Sequence, residues 1–116
     1  MVTVMTRDFR PRYILFTIDS DENVFPIPRQ LMISTLRSYC FKLFNRSLKE
    51  KNMFLTRFNG EKGIVRCEHT DKQETIHLLT SITLIGGKSV TVNTIATSGT
   101  IKALVKKHDT GDILTK

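Results

Sequence analysis

Arginine and lysine stand in this 116-residue chain at positions suited to one kind of chemistry, contact with phosphate. Arg57 and Arg66 interrupt two neighbouring apolar runs, and Lys62 lies in the turn between them. Lys88 follows a glycine pair, and Lys102 and Lys106 are one helical turn apart with Lys107 adjacent. Like charges at that spacing cost an isolated helix roughly 0.2–0.5 kcal/mol, which a bound polyanion would reverse. Ser98-Gly99-Thr100, at the head of the last helical run, offers backbone N–H groups and a hydroxyl to a phosphate oxygen. The same tripeptide serves equally as an ordinary N-cap, and residue by residue that reading is favoured.

Other chemistries find no support. His69, His77 and His108 have no cysteine or acid at metal-ligand spacing and read as surface or rim residues. Gly87-Lys88-Ser89 resembles the end of a nucleotide-binding P-loop, but that pattern needs a glycine where Ile82 stands and a helix where a strand follows. An acylphosphatase-type site would need an anion-gripping arginine after the first strand. That loop instead holds Asp19, Asp21 and Glu22, which repel an anion. Cys40 and Cys67 read as buried, reduced thiols. No catalytic residue, metal site or bound cofactor is expected in this chain.

Composition agrees with that picture. Eighteen lysines and arginines against eleven acids give a formal charge of +7, a fair footprint for nucleic-acid binding. At 40% hydrophobic and 25% charged, the chain has an ordinary globular balance and the length of one domain, 1–116. The longest apolar stretches, such as Tyr13–Phe16, are strand-length and far short of a membrane span. No apolar run follows Arg7, Asp8, Arg10 and Arg12, so no signal peptide is expected, and the location expected is cytoplasmic, or nuclear in a eukaryote.

The elements that must position the cations follow from periodicity. Residues 1–11 read as a basic mobile lead-in, 12–107 as the folded core and 108–116 as a frayed tail. Arg12–Asp19 is a first strand, apolar on both faces and therefore central. Pro28 opens an amphipathic helix carrying Met32, Leu36, Tyr39, Cys40 and Leu43. Asn45–Asn52 is a loop or short extra helix. Asn59-Gly60 joins two β-prone runs, Met53–Phe58 and Gly63–Glu68, as a hairpin. Thr70 or Asp71 caps a second helix through Ile76, Leu79 and Ile82, with Gly86-Gly87 stopping it. Ser89–Ala96 is the fourth strand and Ile101–Lys107 a last helix.

This order, β-α-β-β-α-β with an added helix, predicts a ferredoxin-like, RRM-like α+β sandwich with a four-stranded antiparallel sheet. Its second sheet face needs a cover, either the last helix through Ile101, Leu104 and Val105 or a partner protein. RNA-recognition motifs stack bases on aromatics of the two central strands. Gly63–Cys67 has none, and Phe16, Tyr39, Phe41, Phe44, Phe54 and Phe58 read as core.

Arg12-Tyr13-Ile14-Leu15-Phe16, Gly63-Ile64-Val65-Arg66-Cys67, Ile85-Gly86-Gly87-Lys88 and Ser98-Gly99-Thr100-Ile101-Lys102-Ala103 fall in an order and spacing that resembles archaeal ribonuclease P protein component 2 and its eukaryotic RNase P and MRP counterparts. The resemblance runs from about Arg7 to Lys107. It implies a subunit of a ribonucleoprotein that removes the 5′ leader of precursor tRNA, with Mg²⁺ held by the catalytic RNA. It further implies pairing with protein component 3 in a dimer of heterodimers, beside the RNA and other protein subunits. The phosphate contacts expected are Arg57, Lys62, Arg66, Lys88, Lys102, Lys106 and Lys107. Two alternatives are a stand-alone RRM-like RNA binder and a small-ligand regulatory domain on a ferredoxin-like fold.

Overall fold

Alternation of apolar side chains along β1 (Pro11–Asp19) sends Ile14, Phe16 and Ile18 to one face and Tyr13 and Leu15 to the other. Both faces are covered, as a strand of that composition requires. In this computed structural model, which describes residues 10–108, β1 lies inside a four-stranded sheet. The expected tail beyond residue 108 and most of the expected lead-in fall outside the described residues. Pro11 itself opens β1 opposite Glu68, and the Arg10 carbonyl accepts the His69 N–H at 2.8 Å.

The remaining elements are α1 (Arg29–Phe44), β2 (Phe54–Phe58), β3 (Lys62–Glu68), α2 (Lys72–Ser81), β4 (Leu84–Ile85), β5 (Lys88–Ser89), β6 (Thr91–Ser98) and α3 (Ile101–His108). The main sheet has the order β2-β3-β1-β6 with every neighbouring pair antiparallel. Pro28, with φ −63°, precedes α1, and Asn45 ends it in the left-handed conformation, its N–H on the Phe41 carbonyl. Met32, Leu36 and Cys40 of α1 and Leu78 and Leu79 of α2 bury against the inner sheet face. Thr35 and Thr75, also on those buried sides, donate their hydroxyls to the Leu31 and Asp71 carbonyls at 2.8 Å. Residues 47–51 form one hydrogen-bonded turn, in which Ser47 and Glu50 cap each other reciprocally.

Two local expectations need correction. Neither Thr70 nor Asp71 caps α2 with its side chain, because a 3₁₀ turn, His69–Asp71, leads directly into the helix. The Gly86-Gly87 pair does not stop α2, which ends at Ser81 where Ile82 turns extended. The glycines, at φ +60° and +81°, form instead the two-residue turn of the β4–β5 hairpin. Two successive positive φ values are what a type I′ turn demands.

Gly63 lies where the core packs closely against the backbone. A Cβ there would lie 2.6 Å from Phe16 Cζ and 2.9 Å from the Arg57 carbonyl. Phe16 stacks on Phe58 with centroids 6.3 Å apart, so its ring cannot simply swing away. Gly63→Ala is expected to cost about 1–3 kcal/mol through overpacking, read as a lowered urea midpoint at unchanged m. An unaltered midpoint would show that the ring has room to give.

The outer face is closed by α3. Leu104 is buried with Leu15 and Ile64, and Tyr13, Ala96 and Ile101 pack around them. The chain thus supplies its own cover, as Ile101 and Leu104 suggested. Burial of a leucine of this kind contributes roughly 1.5–3 kcal/mol. The helix contacts β6 and β1 and leaves the β2 side of this face open.

Candidate nucleic-acid interface

Register decides which cations meet. Ile64 faces outward beneath α3, so by alternation Lys62, Arg66 and Glu68 share that outer face. Arg66 pairs with Tyr13 of β1 on one side and with Phe54 of β2 on the other. Arg57 stands opposite Ile64, and Lys62 opposite Thr17. Arg57 reaches this face because the β2–β3 register shifts between Leu55 and Arg57, leaving Thr56 as the extra residue. The Thr56 hydroxyl then donates to the Ile64 carbonyl at 3.0 Å, which fixes the bulge.

Charge here is weakly neutralised. Arg57 donates from Nη1 to the Thr56 carbonyl at 3.1 Å, and its Nε–H has no acceptor among the described residues. Arg66 Nη1 lies 3.9 Å from Glu68 Oε2, a loose pair, while Glu68 Oε1 is buried without a donor. The only other cation in an ion pair among the described residues is Lys51, held by Asp71 at 3.8 Å and by Glu74. The hydrogen bond from Lys51 to Glu74 raises its pKa above the ordinary lysine value and ties the 47–51 turn to α2.

Lys102 and Lys106 are exposed on the side of α3 turned away from the sheet. They therefore project in the same direction as the outer face. Lys107 belongs to α3 by its backbone, but its side chain lies outside the described residues. Lys88 is set apart. It sits in the β4–β5 hairpin next to Ser89, whose N–H is held by Glu22 Oε2 at 2.9 Å. Asp19, Asp21 and Glu22 line the cleft there, and Asp19 accepts from Asn93 Nδ2 at 2.9 Å. Of the expected phosphate contacts, Arg57, Lys62, Arg66, Lys102 and Lys106 gather on one side, and Lys88 joins the acidic end.

The start of α3 is an ordinary cap. Thr100 Oγ1 accepts the Ala103 N–H at 3.1 Å, so that donor is already satisfied. Arg12 is the cation beside this turn, since a Cβ on Gly99 would meet its Nη1 at 3.8 Å. Sequence reasoning placed it at the head of the first strand and did not count it among the phosphate contacts.

Phe54 is the larger omission. It is 44% exposed, and Phe41 60%, whereas Phe16 and Phe58 are buried as expected. In an unbroken strand Phe54 and Phe58 would share a face. The bulge at Thr56 changes the phase, sending Phe58 inward and Phe54 outward.

Nucleophilic and metal chemistry have little to work with. Cys40 and Cys67 are free thiols, and burial pushes both pKa values up, which keeps them protonated and unreactive at neutral pH. No group of three or more His, Cys, Asp or Glu able to hold a metal occurs among the described residues. Among the described residues no helix is long and apolar enough to cross a membrane.

The strand order, the two helices on one face and the third on the other define a ferredoxin-like α+β sandwich with a basic outer surface. The model of the Rpp14/Pop5 family matches residues 12–108, and the chain belongs to that family. It is 32% identical over 99 residues to ribonuclease P protein component 2 of Archaeoglobus fulgidus, covering 85% of this chain and 88% of that protein. Identity to the protein of the same name in Methanosarcina barkeri is also 32% over 99 residues, covering 84% and 71%. A chain in a cryo-EM structure of yeast ribonuclease MRP superposes with a TM-score of 0.64 over 90% of this chain and 96% of that one. At 12% identity that likeness speaks for the fold.

Proposed function

We propose that this chain is a non-catalytic protein subunit of a ribonuclease P ribonucleoprotein, which removes the 5′ leader of precursor tRNA by endonucleolytic cleavage. The observation that carries this reading is the gathering of Arg57, Lys62, Arg66, Lys102 and Lys106 on one side of a member of this family. Such a surface lowers the electrostatic cost of packing RNA phosphates together. Bond cleavage belongs to the RNA and to Mg²⁺ ions that it holds, since metal-bound water supplies the nucleophile in such hydrolysis. The particle works in the cytoplasm, or in the nucleus of a eukaryote.

Protein component 3 is the proposed protein partner, in a dimer of heterodimers. Exposed Phe41, Leu43 and Leu84 on the helix side offer apolar surface for a protein contact, on the opposite side of the sheet from Arg57, Lys62 and Arg66. A stand-alone role is less well supported, because these apolar side chains would then remain in water.

The test is a titration of the chain against the catalytic domain of the RNA between about 50 and 200 mM salt. Each phosphate neutralised adds roughly 0.7–0.9 to the log–log slope, so contacts from most of these cations predict a slope of about −3 to −5. A flat salt response would contradict the proposal.

A further inference from the structure

We infer that the uncovered part of the outer sheet face holds an unpaired nucleobase of RNA, stacked on Phe54 with the Arg66 guanidinium beside it. This deepens the RNA-binding reading and rests on it. Electrostatics alone would ask only for cations on this face. The structure adds a phenyl ring, half-exposed on the edge strand β2 and paired across the sheet with Arg66.

Backbone pairing arranges Phe54, Arg66 and Tyr13 in one row across β2, β3 and β1. Directly opposed side chains in such a row start about 5 Å apart at Cβ. A ring, a planar guanidinium and a second ring are thereby presented side by side on one surface. Unpaired bases are bound by such groups, since every base has a π-face that an aromatic ring or an arginine plane can cover. Tyr13 is half-buried against the α3 cluster, so it closes one end of the row. Phe54 is the open end.

The surroundings favour a nucleotide over an apolar partner. Arg57 stands on the same face of β2, and Lys62 on the same face of β3. Both can reach the phosphates that flank a stacked base. A protein segment docking on Phe54 would instead bury Arg57, whose guanidinium has no acid to pair with among the described residues. Stacking of this type reads no base edge and so tolerates any sequence, but it excludes a closed duplex. The ligand class is therefore a single-stranded loop or bulge.

The experiment uses a single-stranded RNA oligonucleotide carrying 2-aminopurine and a blunt duplex of equal length as probes. Binding to each is measured for the full chain and for Phe54→Leu, Phe54→Tyr and Arg66→Lys. Native chain is expected to quench 2-aminopurine and to prefer the single strand. Phe54→Leu should weaken single-strand binding roughly 5- to 150-fold with an unchanged salt slope, and leave duplex binding alone. Phe54→Tyr, which keeps the ring, should bind as the native chain does, and Arg66→Lys, which keeps the charge and leaves the Phe54 ring in place, should lose less quenching than Phe54→Leu. Equal binding by Phe54→Leu and native chain, or equal losses on both probes, would overturn the base site while leaving the cationic surface intact. Loss of binding to component 3 with RNA binding unchanged would overturn it in favour of a protein contact. Absence of RNA binding by the native chain even at low salt would overturn both readings together.

Discussion

Reversing Arg57, Lys62 and Lys106 to glutamate together is expected to weaken RNA binding by at least about a hundredfold near 0.1 M salt. One neutralised phosphate releases close to one counterion, which at that salt is worth somewhat under a factor of ten. Three lost contacts compound, and the new acids add repulsion. The salt slope should fall by about 2 to 3 at the same time. Lys88→Glu is the internal contrast. It sits in the β4–β5 hairpin beside Ser89, which lines the Asp19, Asp21 and Glu22 cleft, and apart from the gathered cations, so its reversal should change affinity by no more than about twofold. If Lys88→Glu proved as damaging as the triple variant, net charge rather than a defined face would govern binding.

The second large effect concerns α3. Leu104→Ala is expected to cost about 2–5 kcal/mol, the usual range for truncating a fully buried leucine. Leu104 is 1% exposed and sits between Leu15 and Ile64, so the cavity would open at the centre of the outer face. An eight-residue helix has little stability of its own and depends on this docking. For a domain of this size the loss corresponds to roughly 4–8 °C in Tm per kcal/mol. Undocked, α3 would also release Lys102 and Lys106 from the side they share with the sheet cations, and RNA affinity should drop with stability. Leu84→Ala, at a position 50% exposed, should stay within about 0.5 kcal/mol of the native chain. A native-like urea midpoint for Leu104→Ala would mean that α3 is not what closes the sheet.

Much of this architecture is legible in the sequence because strong local signals agree with the global fold. Two-faced apolarity in β1 forces a covered central strand, Pro28 and the apolar stripe after it start α1, and Asn59-Gly60 turns β2 into β3. Asn59 confirms the last physically, its side-chain oxygen accepting the Glu61 and Lys62 N–H groups. Failures occur where one residue type serves two geometries. A glycine pair satisfies a helix C-terminus and a type I′ turn equally, so the β4–β5 hairpin was not separable from a helix stop. It also took Lys88 away from the other cations.

The site was readable only in part for a related reason. Arg57 and Arg66 stood out because they interrupt apolar strands, and both do lie on the outer face. Phe54 did not stand out, since nothing in Phe54–Phe58 announces the bulge at Thr56 that changes the phase of alternation. A residue in the same strand can thus pass from core to surface through a single unpaired position. No signal short of that register would have separated Phe54 from Phe58.

Cleavage of precursor tRNA by a reconstituted particle across a Mg²⁺ series tests the division of labour most directly, comparing native chain with the Lys102→Ala, Lys106→Ala double variant. A subunit whose α3 lysines supply charge and no bond-breaking chemistry predicts slow cleavage at low Mg²⁺ and recovery towards the native rate as Mg²⁺ screens the phosphates in their place. Equal loss at every Mg²⁺ concentration, or leader removal by the isolated protein with no RNA present, would contradict it.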